Sequence, residues 1–171
     1  MPYRENKSLR IIYVWRLEKE KWAQLLLDII HRVSEIPRLN KYIQWNIVWE
    51  GKLLQDFIQL QWRNIHIYGK KSKAELAHIR NESDIAIIPS LFLETFWLVW
   101  LESISAWLPV IGFKKWWLIP FIADVFNIDI DDPIDSVVSI LINLLEGNNE
   151  LPLPETITYS LEIWRWNLID I

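Results

Sequence analysis

Glu94 and Glu102 stand eight positions apart, the first in a loop-like stretch and the second in the helix-like segment behind it. Carboxylates accept paired O–H bonds, so two of them framing one site suit a ligand rich in hydroxyls. Between them, Phe96, Trp97 and Leu98 fall at a helix start, where backbone N–H groups and the helix dipole favour a phosphate. A second anion-seeking group lies earlier in the chain. Arg16 follows a strand-like run and Lys21 enters a helix-like one, the arrangement of a phosphate site. Plainer roles fit the same residues. Glu18 and Glu20 stand among these bases, as they would in a solvated charge cluster. Glu94 would also serve as an ordinary acid at a helix start, with Glu102 solvated. No Gly-rich dinucleotide or Walker pattern accompanies either group.

Other polar residues carry less. Lys70 and Lys71 after Gly69 would flank a nucleotide base or belong to a solvated turn. Asp129, Asp131, Asp132 and Asp135 precede Pro133 and read as helix capping and loop polarity rather than a metal site. His31, His66 and His78 lack ligand spacing, so no metal is expected. The chain has no cysteine, which excludes disulfides, thiolate zinc sites and a cysteine nucleophile.

These groups need a scaffold, and the chain has the material for one. Its 171 residues are 51% hydrophobic and 23% charged, with a net charge of −4. That composition supports one folded domain, excludes disorder and gives no basic footprint for nucleic acid. No apolar run reaches a membrane span, because Glu94, Glu102 and Lys114-Lys115 interrupt the richest stretch. The first residues lack the apolar core of a signal peptide, so a cytoplasmic chain is expected.

Apolar periodicity alternates short β-like and longer helix-like segments. Strands are predicted at 9–14, 42–48, 64–68, 85–88, 109–112 and 127–130. Helices are predicted from Trp22 to about Ile36, closed by Pro37, and at 53–60, 73–81, 98–106, near Pro120 and at 133–145. The stretch from Leu151 fits a strand or a helix. Such alternation, with nearly continuous apolar strands, predicts an α/β domain with a doubly wound parallel sheet. Residues 1–8 form an extension, 9–150 the domain and 151–171 a terminal segment. Ligands of such sheets bind beyond the carboxyl ends of the strands, which is where Arg16 and Glu94 fall.

At this point the residues resemble a known family. Glu94-Thr95-Phe96 followed by Glu102, Ala106 and Leu108-Pro109-Val110-Ile111 resembles the paired-glutamate segment of family 4 retaining glycosyltransferases. Trp15-Arg16-Leu17 with Lys21-Trp22 resembles their Gly-Arg-Leu…Lys-Gly phosphate segment, and Ile47-Val48-Trp49-Glu50-Gly51 their Gly-x-Gly strand end. The likeness is collinear from about Leu9 to Leu145. It implies the Rossmann-like, donor-binding C-terminal half of a GT-B enzyme. Arg16 and Lys21, with the backbone of Phe96, Trp97 and Leu98, would then hold the diphosphate of a nucleotide sugar. Glu102 would bind the ribose, and Glu94 would be the catalytic contact to the transferred sugar. No cofactor or metal is implied, because the nucleotide sugar is the substrate. The N-terminal acceptor-binding domain would lie outside this chain, and the full enzyme would have room for a peripheral membrane contact. A non-catalytic nucleotide-sugar-binding or regulatory module is the alternative. A receiver-type domain fits poorly, since Trp-Arg rather than Asp follows Val14.

The chain departs from the family pattern in one respect. Trp15, Trp22, Trp49, Trp97, Trp107, Trp116 and Trp117 stand where the pattern has glycine. The whole chain has 12 tryptophans and 4 glycines, where usage near 7% predicts roughly 12 glycines. UGA codons that the cell reads as glycine and that are printed as tryptophan would produce this. A degenerate or substituted chain is the alternative. After Trp116-Trp117 the family often has Pro-Glu, whereas Leu118-Ile119-Pro120-Phe121 stands here.

Overall fold

The computed structural model describes residues 8–18, 22–60, 64–89, 98–113 and 125–147. Among the described residues, six strands and six helices follow in order: β1 (Leu9–Val14), α1 (Ala23–Ser34), α2 (Pro37–Tyr42), β2 (Ile43–Val48), α3 (Leu54–Gln59), β3 (Ile65–Gly69), α4 (Lys73–Asn81), β4 (Ile85–Ile88), α5 (Leu98–Ser105), β5 (Val110–Gly112), β6 (Val125–Asn127) and α6 (Pro133–Leu145). The strands form one sheet in the order β3-β2-β1-β4-β5-β6, and every pairing is parallel. This is the doubly wound α/β sheet that the alternation predicts.

Strands β1, β2, β4 and β5 are almost wholly buried because helices cover both faces, whereas the edge strand β3 alternates buried and less buried residues. Leu9, Ile11 and Tyr13 of β1, with Trp45 and Ile47 of β2, pack towards α1, α3 and α6. The intervening Ile12 and Val14 pack with Val48 towards Leu76 and Ile79 of α4 and Trp100 of α5. The two-residue period of the strand therefore sorts neighbouring side chains into two cores. Leu25, Leu26, Ile29, Ile30 and Val33 give α1 the stripe that meets the first core.

Two boundaries differ from the sequence reading. Pro37 opens a helix of its own as well as following α1, because its fixed φ suits the first helical position; β2 accordingly begins at Ile43. The last strand lies two residues earlier than its apolar pattern suggests. Val125 pairs with Val110 and Asn127 with Gly112, and the chain turns away at Asp129, whose amide donates to Ser136 Oγ at 2.9 Å. The aspartates that follow cap α6: Asp132 accepts from the Asp135 amide at 3.4 Å, and Asp129 Oδ1 accepts from the Asp131 amide at 3.0 Å. The expected helix near Pro120 and the segment from Leu151 lie outside the described residues.

Candidate functional site

Parallel pairing puts the residues after Val14, Val48, Gly69, Ile88 and Gly112 on one edge of the sheet. The loops leaving β1 and β2 are joined there by their backbones. The Leu17 amide donates to the Glu50 carbonyl at 3.1 Å, and the Leu53 amide donates to the Leu17 carbonyl at 2.9 Å. The chains come so close that a Cβ at Gly51 would stand 2.6 Å from the Leu17 carbonyl carbon. Only glycine fits. Gly69, at the end of β3, has a φ of 67°, and its place for a Cβ faces Glu50 Oε1 at 3.7 Å.

Arg16 projects from this edge with 54% of its side chain exposed, and its Nη1 lies 3.7 Å from Glu18 Oε2. Its carbonyl accepts from the Tyr13 hydroxyl at 3.5 Å; burial pushes that phenol well above its ordinary pKa. Trp22 precedes α1 in a left-handed conformation (φ 57°, ψ 23°) and makes no side-chain cap. The first amide of α1, Ala23, donates to the Glu18 carbonyl at 3.4 Å, and Trp22 supplies no side-chain cap for the amides that follow, at a helix end of the kind that binds anions. Lys70 Nζ sits 5.8 Å from the centre of the Trp49 ring. Lys71 instead pairs with Glu75 at 3.2 Å.

Leu98 is the first residue of α5, and Glu102 lies one turn further on. Glu102 is about half exposed, and its Oε2 accepts from Arg80 Nη2. Arg80 is itself buried, at the end of α4, and its Nε has no hydrogen-bond partner among the described residues. Sequence reading missed Arg80. The signal was present: Leu76, Ile79 and Arg80 follow the i, i+3, i+4 spacing of one buried helix face. Trp100 of α5 is fully buried, and its ring lies where a Cβ of Gly112 would come within 2.7 Å.

Among the sequence-predicted site residues, Arg16 and the start of α5 thus belong to one sheet edge, after the adjacent strands β1 and β4. Glu102 is engaged with α4. Lys21, Glu94, Phe96 and Trp97 lie outside the described residues, as does the side chain of Leu98. Among the described residues no three metal-ligating side chains cluster, and no helix is long and apolar enough to cross a membrane.

A family model described as Glycosyl transferases group 1 matches residues 8–123. A search of curated protein sequences gives no match. Among solved structures, the pneumococcal O-GlcNAc transferase GtfA, crystallised with UDP and GlcNAc, is 20% identical with a TM-score of 0.65; the match covers 96% of this chain and 36% of that one. The catalytic domain of the Helicobacter pylori cholesterol-α-glucosyltransferase is 17% identical with a TM-score of 0.58, covering 82% of this chain and 91% of that one. WaaG, a glycosyltransferase of lipopolysaccharide biosynthesis, is 18% identical with a TM-score of 0.61, covering 98% and 48%. This chain therefore spans about a third of the pneumococcal protein and about half of WaaG. The shared fold is the Rossmann-like domain of GT-B glycosyltransferases.

Proposed function

Because the chain belongs to the glycosyl transferases of group 1, we propose that it is the donor-binding, C-terminal half of a retaining glycosyltransferase. Its substrate is a nucleotide-diphosphate sugar, its acceptor is held by an N-terminal domain outside this chain, and its compartment is the cytoplasm. The carrying observation is the coincidence of the family match with a half-exposed cation, Arg16, in the strand-end loop whose Glu18 carbonyl meets the start of α1.

In this reading Arg16 and Lys21 hold the diphosphate with the first amides of α1 and with the backbone of Phe96, Trp97 and Leu98. Negative charge grows on the departing diphosphate in the transition state. Fixed cations and oriented N–H groups stabilise that charge more than they stabilise the ground state, which lowers the barrier. Glu94 contacts the hydroxyls of the transferred sugar. Glu102 binds the ribose through Oε1, while Arg80 holds Oε2 and so fixes the carboxylate plane.

UDP is the natural probe, since the pneumococcal neighbour is crystallised with it. Calorimetry is expected to show UDP binding by this chain, with little sugar transfer. Arg16→Ala weakens UDP binding by about 1.5–3 kcal/mol, the worth of a charged hydrogen bond, and leaves uridine binding unchanged. Equal losses for UDP and uridine would mean that Arg16 does not touch phosphate. Efficient transfer by this chain alone would remove the division between donor and acceptor halves.

A further inference from the structure

Three residues other than glycine have a positive φ among the described residues, and all three are tryptophan: Trp22 (57°), Trp49 (142°) and Trp107 (57°). Bulky side chains rarely adopt that region, because Cβ meets the neighbouring carbonyl oxygen. Asparagine and aspartate tolerate it best among the other residues, yet none stands here. Tryptophan fills 12 of 171 positions, so chance does not assign it all three.

The chain's own glycines perform the same backbone tasks elsewhere. After α6, Gly147 takes φ 71° and its amide donates to the Leu144 carbonyl at 3.3 Å. After α5, Trp107 takes φ 57° and the next amide, Leu108, donates to the Ser103 carbonyl at 3.0 Å. That six-to-one bond around a left-handed residue is the Schellman helix end, whose usual occupant is glycine. At the strand ends, Gly69 closes β3 with a positive φ, and Trp49 follows β2 with one.

Functional strain does not explain the set. Strained residues gather where a ligand is handled, but Trp107 precedes β5, at the opposite edge from the strand ends, with half of its surface exposed. Trp45 and Trp100 show what tryptophan does in this fold when its side chain is used. Trp45 lies in β2 and both are 1% exposed, inside the two cores.

We infer that 22, 49 and 107 are glycine positions, and that the chain made in its own cell carries glycine there through UGA codons read as glycine. The consequence reaches the strand-end edge. With glycine at 22 and 49, the entry to α1 and the end of β2 present bare backbone to a ligand. The inference itself does not depend on which ligand that is.

The codons and the native protein decide it. The gene is expected to carry UGA at these three positions, and mass spectrometry of the protein from its own cells should find glycine in the corresponding peptides. UGG codons, or peptides that retain the indole, would overturn the inference. Recombinant variants give an independent reading. Trp107→Gly is expected to raise the Tm of the printed chain by about 2–4 °C, whereas Trp45→Gly lowers it. If the printed chain does not fold, the triple variant Trp22→Gly, Trp49→Gly, Trp107→Gly should fold cooperatively. A Tm lowered by Trp107→Gly, or a triple variant that stays unfolded, would count against the three positions. None of these readouts uses nucleotide binding, so the assignment of function can fail while this stands.

Discussion

The ends of α5 and α6 make the same left-handed turn with different residues, and the two helices are held in different ways. α6 buries Val137, Val138, Leu141 and Leu144, an apolar face against α1, and stops at Gly147. α5 is fixed by Trp100 against Gly112 and by the Arg80–Glu102 ion pair, and stops at Trp107. The difference separates two causes that a helix end usually confounds. Burial and pairing decide where the helix lies, and the residue in the turn decides how much strain its end carries.

The largest test of this contrast removes burial from α6. Leu141 is fully buried, so Leu141→Ala should cost about 2–5 kcal/mol in urea unfolding, however favourable the glycine turn behind it. Gly147→Trp then gives α6 the end that α5 has. With φ at 71° and open space around its Cβ position, the expected loss is the left-handed penalty alone, about 1–2 kcal/mol. A neutral result would mean that the turn relaxes and that Trp107 is unstrained as well.

Ion pairs sharpen the comparison further. Arg80→Met removes a charged hydrogen bond worth about 1.5–3 kcal/mol. Because Glu102 is half exposed, screening reduces the expected loss to about 1–2 kcal/mol. The corresponding pair at the end of α6, Arg38 with Glu146 at 3.0 Å, is exposed on both sides, and Arg38→Met should cost about 0.2–1 kcal/mol. Equal losses would mean that the burial of Arg80 does not matter.

The smallest effect is a matter of pH. The Ser72 hydroxyl, and then its backbone amide, draw the Glu75 carboxyl down to about 2 in the capping box that starts α4. A carboxyl lowered on folding stabilises the fold above its unfolded value of 4.5 and loses that contribution as pH falls towards 2. Acid should therefore loosen the start of α4, while the turn at Gly147 does not titrate. In an NMR titration, Ser72→Ala should return Glu75 towards its ordinary range. An unchanged midpoint would assign the shift elsewhere.

The fold was legible wherever one local signal dominated. Pro133 opens α6 behind the aspartates that precede it, and the predicted span 133–145 holds, as do 73–81 for α4 and 85–88 for β4. Pro37 was ambiguous, because proline both ends one helix and begins another. β6 was displaced because partners choose a strand's register, and Val125 pairs with Val110 across residues that no local window contains. Of the site, Arg16 was legible as an exposed base at a strand end. Arg80 was not, since an arginine on an apolar stripe gains its meaning only when α5 brings Glu102 against it.

The strand order also has a temporal side. β1 is the earliest of the six strands in the chain and lies in the interior of the sheet, between β2 and β4. Ile11 pairs with both Trp45 and Ile85, and the Arg10 amide reaches Asp84 across 74 residues. During synthesis β1 is made before either neighbour, and its second edge stays unpaired until β4 has left the ribosome. Pairings this distant in sequence close slowly, and an apolar strand with an open edge can pair with another chain in the meantime. Between the making of β1 and the making of β4, the second edge of β1 is therefore open to such pairing.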